Sequence, residues 1–147
     1  MQIISGKDTA NSIKAEIAAE VEQLRSDRGR APHLAAILVG NDPASETYVA
    51  NKEKSCAEVG FLSSVYRLPE NVTEDDLIKT IDFINHDDEI DGLIVQLPLP
   101  KHINVDKVVG TINPLKDVDG FHPSNVSRLW LERPVNHGGQ LTYSWTV

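Results

Sequence analysis

Apolar residues recur along this chain with two alternating periods. Ile13, Ile17 and Val21 stand four apart, with Ala10 and Leu24 nearby, and this spacing predicts a helix from Asp8 to about Ser26. Gly29 and Pro32 break it, and the apolar run from Leu34 to Val39 predicts a short buried strand. After the turn at Asn41, Asp42 and Pro43, Ser45 is expected to cap a second helix reaching Val59, which Gly60 stops. Leu62 to Leu68 is a further strand candidate, ended by Pro69. Thr73 opens a helix carrying Leu77, Ile78, Ile81 and Ile84, with three acidic residues in its first turn to suit the helix dipole. Leu93, Ile94 and Val95 follow Asp91 and Gly92 as another apolar strand, and Asn104 is expected to cap a short helix through Val105, Val108 and Val109. Strands alternating with helices imply parallel pairing. The predicted fold is therefore an α/β, three-layer domain with a short, mainly parallel sheet flanked by helices.

Length and charge narrow the possibilities. At 147 residues the chain can bury one real core. Its 14 Lys and Arg stand against 22 Asp and Glu, a formal charge of −8, which argues against a broad nucleic-acid-binding face. A local anionic ligand site remains compatible with that balance. Cys56 is alone, so no intrachain disulfide can form and a reducing, cytoplasmic setting is expected. The N-terminus lacks the apolar run of a signal peptide, and no stretch approaches the roughly 20 apolar residues of a membrane span. Neither a membrane nor a nucleic acid is expected as a partner, and no metal site is read from the sequence.

Three segments place chemically capable groups where a strand or helix should end. Tyr48 and Lys52 lie four apart and share one helix face, whereas Lys54 points elsewhere. Lys52 offers a general acid or base, and the Tyr48 ring a flat platform for a conjugated ligand. Gln96 closes an apolar strand just before Pro98, and ligands in open α/β sheets sit beyond such strand ends. Its amide can donate and accept at once. Asp117 and Asp119 alternate around Val118 ahead of Gly120 and are expected to face opposite ways in an extended stretch, so that one carboxylate can face a ligand while the other fixes the loop. Taken singly, each segment is more readily an exposed lysine with a half-buried tyrosine, a turn amide or an Asx-type turn than a ligand site.

Taken together, with their order, spacing and surrounding sequence, they resemble the folate-site half of the bifunctional methylenetetrahydrofolate dehydrogenase/methenyltetrahydrofolate cyclohydrolase family. The resemblance runs from about Ile4 to Leu129 and includes Val39 to Ser45, Lys54 to Gly60, Asp91 to Pro98 and Ile112 to Gly120. It implies that Lys52 is the catalytic lysine and that Gln96 works with it at the reacting one-carbon bridge. It further implies that Tyr48 packs on the aminobenzoyl ring of folate, that Asp119 holds the pterin, and that Val95 and Leu97 flank Gln96 in a substrate-binding tripeptide. Members oxidise 5,10-methylenetetrahydrofolate with a nicotinamide cofactor, usually NADP, and hydrolyse the methenyl product to 10-formyltetrahydrofolate.

After Leu129 the resemblance stops. No G-x-G-x-x-G or Walker pattern occurs in these 147 residues, so the family's second, Rossmann-type domain is expected to be absent from them. Residues 1–129 are expected to form the folate-binding catalytic domain. Residues 130–147 form a divergent tail, expected to be poorly ordered, that has the look of a truncation or frame change. No cofactor is expected on this chain itself, dehydrogenase activity is not expected from it alone, and the family's homodimer contacts are expected to be lost with the second domain. Three readings stay open: a folate enzyme fragment with or without residual cyclohydrolase activity, a non-catalytic folate-binding or interaction fragment, and a product that does not fold stably.

Overall fold

The computed structural model describes residues 5–130. Helix α1 (Gly6–Arg28) starts on Ser5, whose hydroxyl accepts from the Asp8 N–H, and stops at Gly29, whose φ of 76° is a left-handed turn open to glycine. It is followed by β1 (His33–Val39), α2 (Pro43–Val59), β2 (Leu62–Leu68), α3 (Glu74–Asn85), β3 (Gly92–Val95), α4 (Val105–Thr111) and α5 (Pro123–Trp130). Among the described residues no helix is long and apolar enough to cross a membrane. The predicted tail lies outside the described residues, apart from Trp130 at the end of α5.

The three strands form one parallel sheet in the order β2-β1-β3, with Ile37 of β1 opposite Tyr66 on one side and Val95 on the other. The central strand is buried on both faces, which explains why β1 reads as an unbroken apolar run. Alternate side chains then sort the layers. Ala35, Ile37, Val39, Leu93 and Val95 join Leu77, Ile81 and Ile84 of α3 and Val108 of α4 in one core. Ala36 and Leu38 turn the other way and pack with Val49 of α2 and partly buried Val65. Helices α3 and α4 thus cover one face, α2 the other, and α1 lies against α2 with a Lys14–Glu58 ion pair of 2.6 Å. This is the three-layer α/β arrangement that the periodicity predicts.

Two local expectations change. Ser45 does not cap α2. Asp42 does, its carboxylate accepting from the Ser45 N–H at 2.8 Å, with Pro43 opening the helix and Ser45 buried in the first turn. An aspartate just before a helix-initiating proline outcompetes a serine three residues on, because proline already fits the first helical position. Helix α5 was not expected from the sequence. It is only eight residues long, and its start is set by His122, whose Nδ1 accepts from the Ser124 N–H.

Past α4, one strand-like contact extends the sheet. The Leu93 N–H donates to the Lys116 carbonyl at 2.6 Å, and Leu93 and Asp117 form a single parallel bridge. Gly92 permits this close approach: a Cβ there would lie 2.7 Å from Val118 Cγ1 and 3.3 Å from Leu34 Cδ1.

Candidate functional site

Parallel pairing brings the carboxyl ends of β1 and β3 to one rim. Gln96 continues the ladder one residue beyond β3, its N–H donating to the Ile37 carbonyl at 2.9 Å. Since Leu93 and Val95 face α3 and α4, alternation turns Gln96 to the opposite face, the one that α2 covers. Lys52, in the third turn of α2, reaches it there: Nζ stands 3.5 Å from Gln96 Oε1. The other end of the amide is already engaged, Nε2 donating to the Leu97 carbonyl at 2.7 Å, so the oxygen is the end left to face the lysine. The 3.5 Å separation is long for a hydrogen bond and leaves the amine free to take a better partner.

These two side chains line a cavity of about 280 Å³ together with Val95, Leu97, Asp119 and Phe121. Asp119 enters from the segment that crosses beside β3. Burial pushes its carboxyl above the usual carboxylate range; the Lys52 charge opposes this shift and the Asp117 charge adds to it. Asp117 itself is 6% exposed and faces its own loop. Its Oδ1 accepts from the Gly120 and Phe121 N–H groups, and its Oδ2 from the His122 N–H and the Asn125 side-chain amide. Gly120, with φ of 70°, supplies the reversal that lets the chain fold around that carboxylate.

The structure thus brings Lys52, Val95, Gln96, Leu97 and Asp119 together. Tyr48 lies one turn before Lys52 on the same side of α2 but is 63% exposed and is not part of the cavity lining. Lys54 is exposed and also lies outside the lining. Phe121 is a lining residue that the sequence reading passed over. The available signal was an aromatic ring, here 50% exposed, placed directly after an Asp-Gly turn. Among the described residues no group of three or more His, Cys, Asp or Glu side chains could hold a metal ion. An amine, an amide oxygen and a half-buried carboxyl around one opening can move a proton, orient a water and hold a polar heterocycle edge.

Comparison with known proteins gives this arrangement a family. The family model for the tetrahydrofolate dehydrogenase/cyclohydrolase catalytic domain matches residues 4–119. Bifunctional protein FolD of Flavobacterium johnsoniae is 57% identical over 132 residues, which are 90% of this chain and 45% of that protein. The crystal structure of the bifunctional FolD methylenetetrahydrofolate dehydrogenase/cyclohydrolase from Campylobacter jejuni superposes with a TM-score of 0.86 at 46% identity, covering 89% of this chain and 46% of that one. The Trypanosoma brucei enzyme, solved with NADP cofactor and an inhibitor, superposes with a TM-score of 0.83 at 36% identity, covering 87% of this chain and 43% of that one. The chain thus spans less than half the length of these relatives. Over the part it spans, it belongs to the tetrahydrofolate dehydrogenase/cyclohydrolase catalytic-domain family.

Proposed function

We propose that this chain forms the folate half-site of a methylenetetrahydrofolate dehydrogenase/cyclohydrolase and acts on the one-carbon bridge of a reduced folate. The observation that supports this most directly is the convergence of Lys52, Gln96 and Asp119 on one cavity at the carboxyl rim of the sheet. In this assignment Asp119 accepts from the amino-pyrimidine edge of the pterin. Tyr48, exposed at the approach along α2, packs on the aminobenzoyl ring, while Val95 and Leu97 wall the bridge on either side of Gln96.

Hydrolysis of the methenyl bridge needs only these groups and water. The bridge carbon is the cationic centre of an amidinium. The oxygen of a water held by the Gln96 Oε1 bonds to that carbon, and Lys52 Nζ carries away the proton it sheds. Collapse of the resulting carbinolamine forms the formyl C=O, breaks the carbon–N5 bond and leaves a proton on N5. One proton is released in total, and the product is the 10-formyl compound. The Leu97 carbonyl holds the Gln96 amide so that its oxygen faces the lysine before the water arrives.

The nicotinamide dinucleotide that the family uses for hydride transfer does not fit the residues described here. Its pyrophosphate needs a helix start with free N–H groups and no competing negative charge. Each described helix instead begins on its own side-chain acceptor: Ser5, Asp42, Thr73, Asn104 and, for α5, His122. At α2, beside the site, that acceptor is a carboxylate held below its usual range by hydrogen bonds from Ser45. Hydride transfer is therefore not assigned to these residues. A reducing, cytoplasmic setting is part of the proposal, consistent with buried, unpaired Cys56.

The test is the loss of methenyltetrahydrofolate absorbance without any nicotinamide, comparing the chain with its Lys52→Ala variant. Hydrolysis above background that falls by about 10²-fold in the variant supports the assignment. Equal rates, with binding retained, would make the chain a folate-binding fragment without catalysis.

A further inference from the structure

We infer that Asp117, which lies outside the cavity, is the positioning residue of the site, its carboxylate tying the loop that presents Asp119 and Phe121. This deepens the folate proposal and rests on it for the identity of the ligand. The carboxylate is buried and collects four donors from one short stretch: the N–H groups of Gly120 (3.1 Å), Phe121 (3.3 Å) and His122 (2.9 Å), and Asn125 Nδ2 (2.8 Å). Among the described residues it has no Lys or Arg partner. Neighbouring Lys116 points away, its Nζ donating to the Ile84 and Asp87 carbonyls. A buried charge compensated only by loop donors makes that loop's conformation the condition of its own burial.

The tie is fastened to the sheet at its other end. Leu93 binds the Lys116 carbonyl, the Asp117 N–H donates to the Asn113 carbonyl, and Val118 fills the space that Gly92 leaves free. Asn125 links the same knot to α5 and, through the Pro114 carbonyl, back to the chain before Asp117. Asp119 lies between the sheet contact and the knot, so neither it nor Phe121 can shift without breaking one of these anchors. Asp117 touches no ligand in this arrangement; it acts through Asp119 and Phe121.

Two variants of the whole chain test this. Asp117→Asn keeps the volume, removes the charge and sets an NH₂ group against the His122 or Gly120 donors. Asn125→Ala removes one donor and leaves the Asp117 charge in place, so any change at Asp119 reports displacement rather than lost charge. It also serves if Asp117→Asn fails to fold. The readouts are the ligand-free titration of the Asp119 side-chain carbon by NMR and the affinity for 5-formyltetrahydrofolate, a stable reduced folate. In both variants the Asp119 midpoint is expected to move down toward the ordinary carboxylate value, because burial is the main force raising it. Affinity is expected to fall about tenfold in Asp117→Asn and less in Asn125→Ala. An unchanged Asp119 midpoint in the folded variants would overturn the inference, even with folate bound. A shifted midpoint in a chain that binds no folate would keep the positioning role and sink the ligand assignment.

Discussion

Lys52 Nζ and Gln96 Oε1 stand 3.5 Å apart although 44 residues separate them in the chain. Residues in contact within one site do not contribute independently. Lys52→Ala is expected to lower methenyltetrahydrofolate hydrolysis by about 10²-fold, and Gln96→Ala by about 10-fold or more. The double variant should be scarcely slower than Lys52→Ala alone. Additive losses in single-turnover rates would show that the two side chains serve separate steps.

Asp119 gives a prediction of opposite sign for stability and for binding. Its folded-state carboxyl lies above its ordinary value, so the folded chain favours the protonated form. The stabilising contribution is complete below the unfolded value and is lost as pH rises through the folded one. Above the folded value the ionised group therefore works against the fold. Asp119→Asn should raise the melting temperature at pH 7 by about 1–3 °C while weakening folate binding. Melting curves at pH 7 and pH 3 check it, since the gain should vanish at the lower pH.

The Arg30–Asp91 pair runs the other way. The guanidinium meets both carboxylate oxygens at 2.6 and 2.7 Å, and Asp91 also accepts from the His33 N–H at the start of β1. The Arg30 hydrogen bond, chiefly, and the His33 N–H hold the Asp91 carboxyl below its usual range against partial burial. Stability from this group is present above the unfolded value and is lost as pH falls through the folded one. The pair is more than a third exposed, so solvent screens much of it. Asp91→Asn should lower the melting temperature at pH 7 by only about 1–3 °C, with a smaller difference near pH 2.

Gly92→Ala tests the packing beneath the site. The new methyl would meet Val118 Cγ1 at 2.7 Å, a side chain that directly follows the anchored Asp117. The expected loss is about 1–3 kcal/mol in denaturant unfolding, as for other small overpacking changes. A neutral result would mean that residues 116–118 move away from β3 easily.

Much of the architecture was legible because it rests on local signals. Leu62 to Leu68 is bounded by Gly60 and Pro69, and β2 has those limits; Thr73 and Asn104 cap α3 and α4 as their side-chain chemistry suggests. The helix spacing that put Tyr48 and Lys52 on one side of α2 is likewise local. What was not legible depends on partners distant in the chain. That Asp117 and Asp119 face different ways was expected of an extended segment, but residues two apart in such a segment share a side, so the expectation had the wrong physical reason. They separate because the segment makes a single bridge to Leu93 and then bends, turning at Gly120 around donors supplied as far on as Asn125. Helix α5 begins at a histidine ring, a cap that residue-type preferences rank low, and so it escaped notice.

The strand order has a consequence for how the site comes into being. Strands β1 and β2 are neighbours in the chain, joined through α2, and make a compact βαβ unit with short loops to close. Strand β3 must return past α3 to reach the far side of β1, and Asp117 then adds to β3 through one bridge. If the local βαβ unit forms first, Lys52 comes with it, whereas Gln96 and Asp119 come with β3 and the segment after it. A chain caught with β3 undocked would already possess a native-like half and its lysine, yet no rim to work on. Amide exchange should therefore report Leu93 opening well before Ile37, and competence should be the last property the molecule acquires and the first it surrenders.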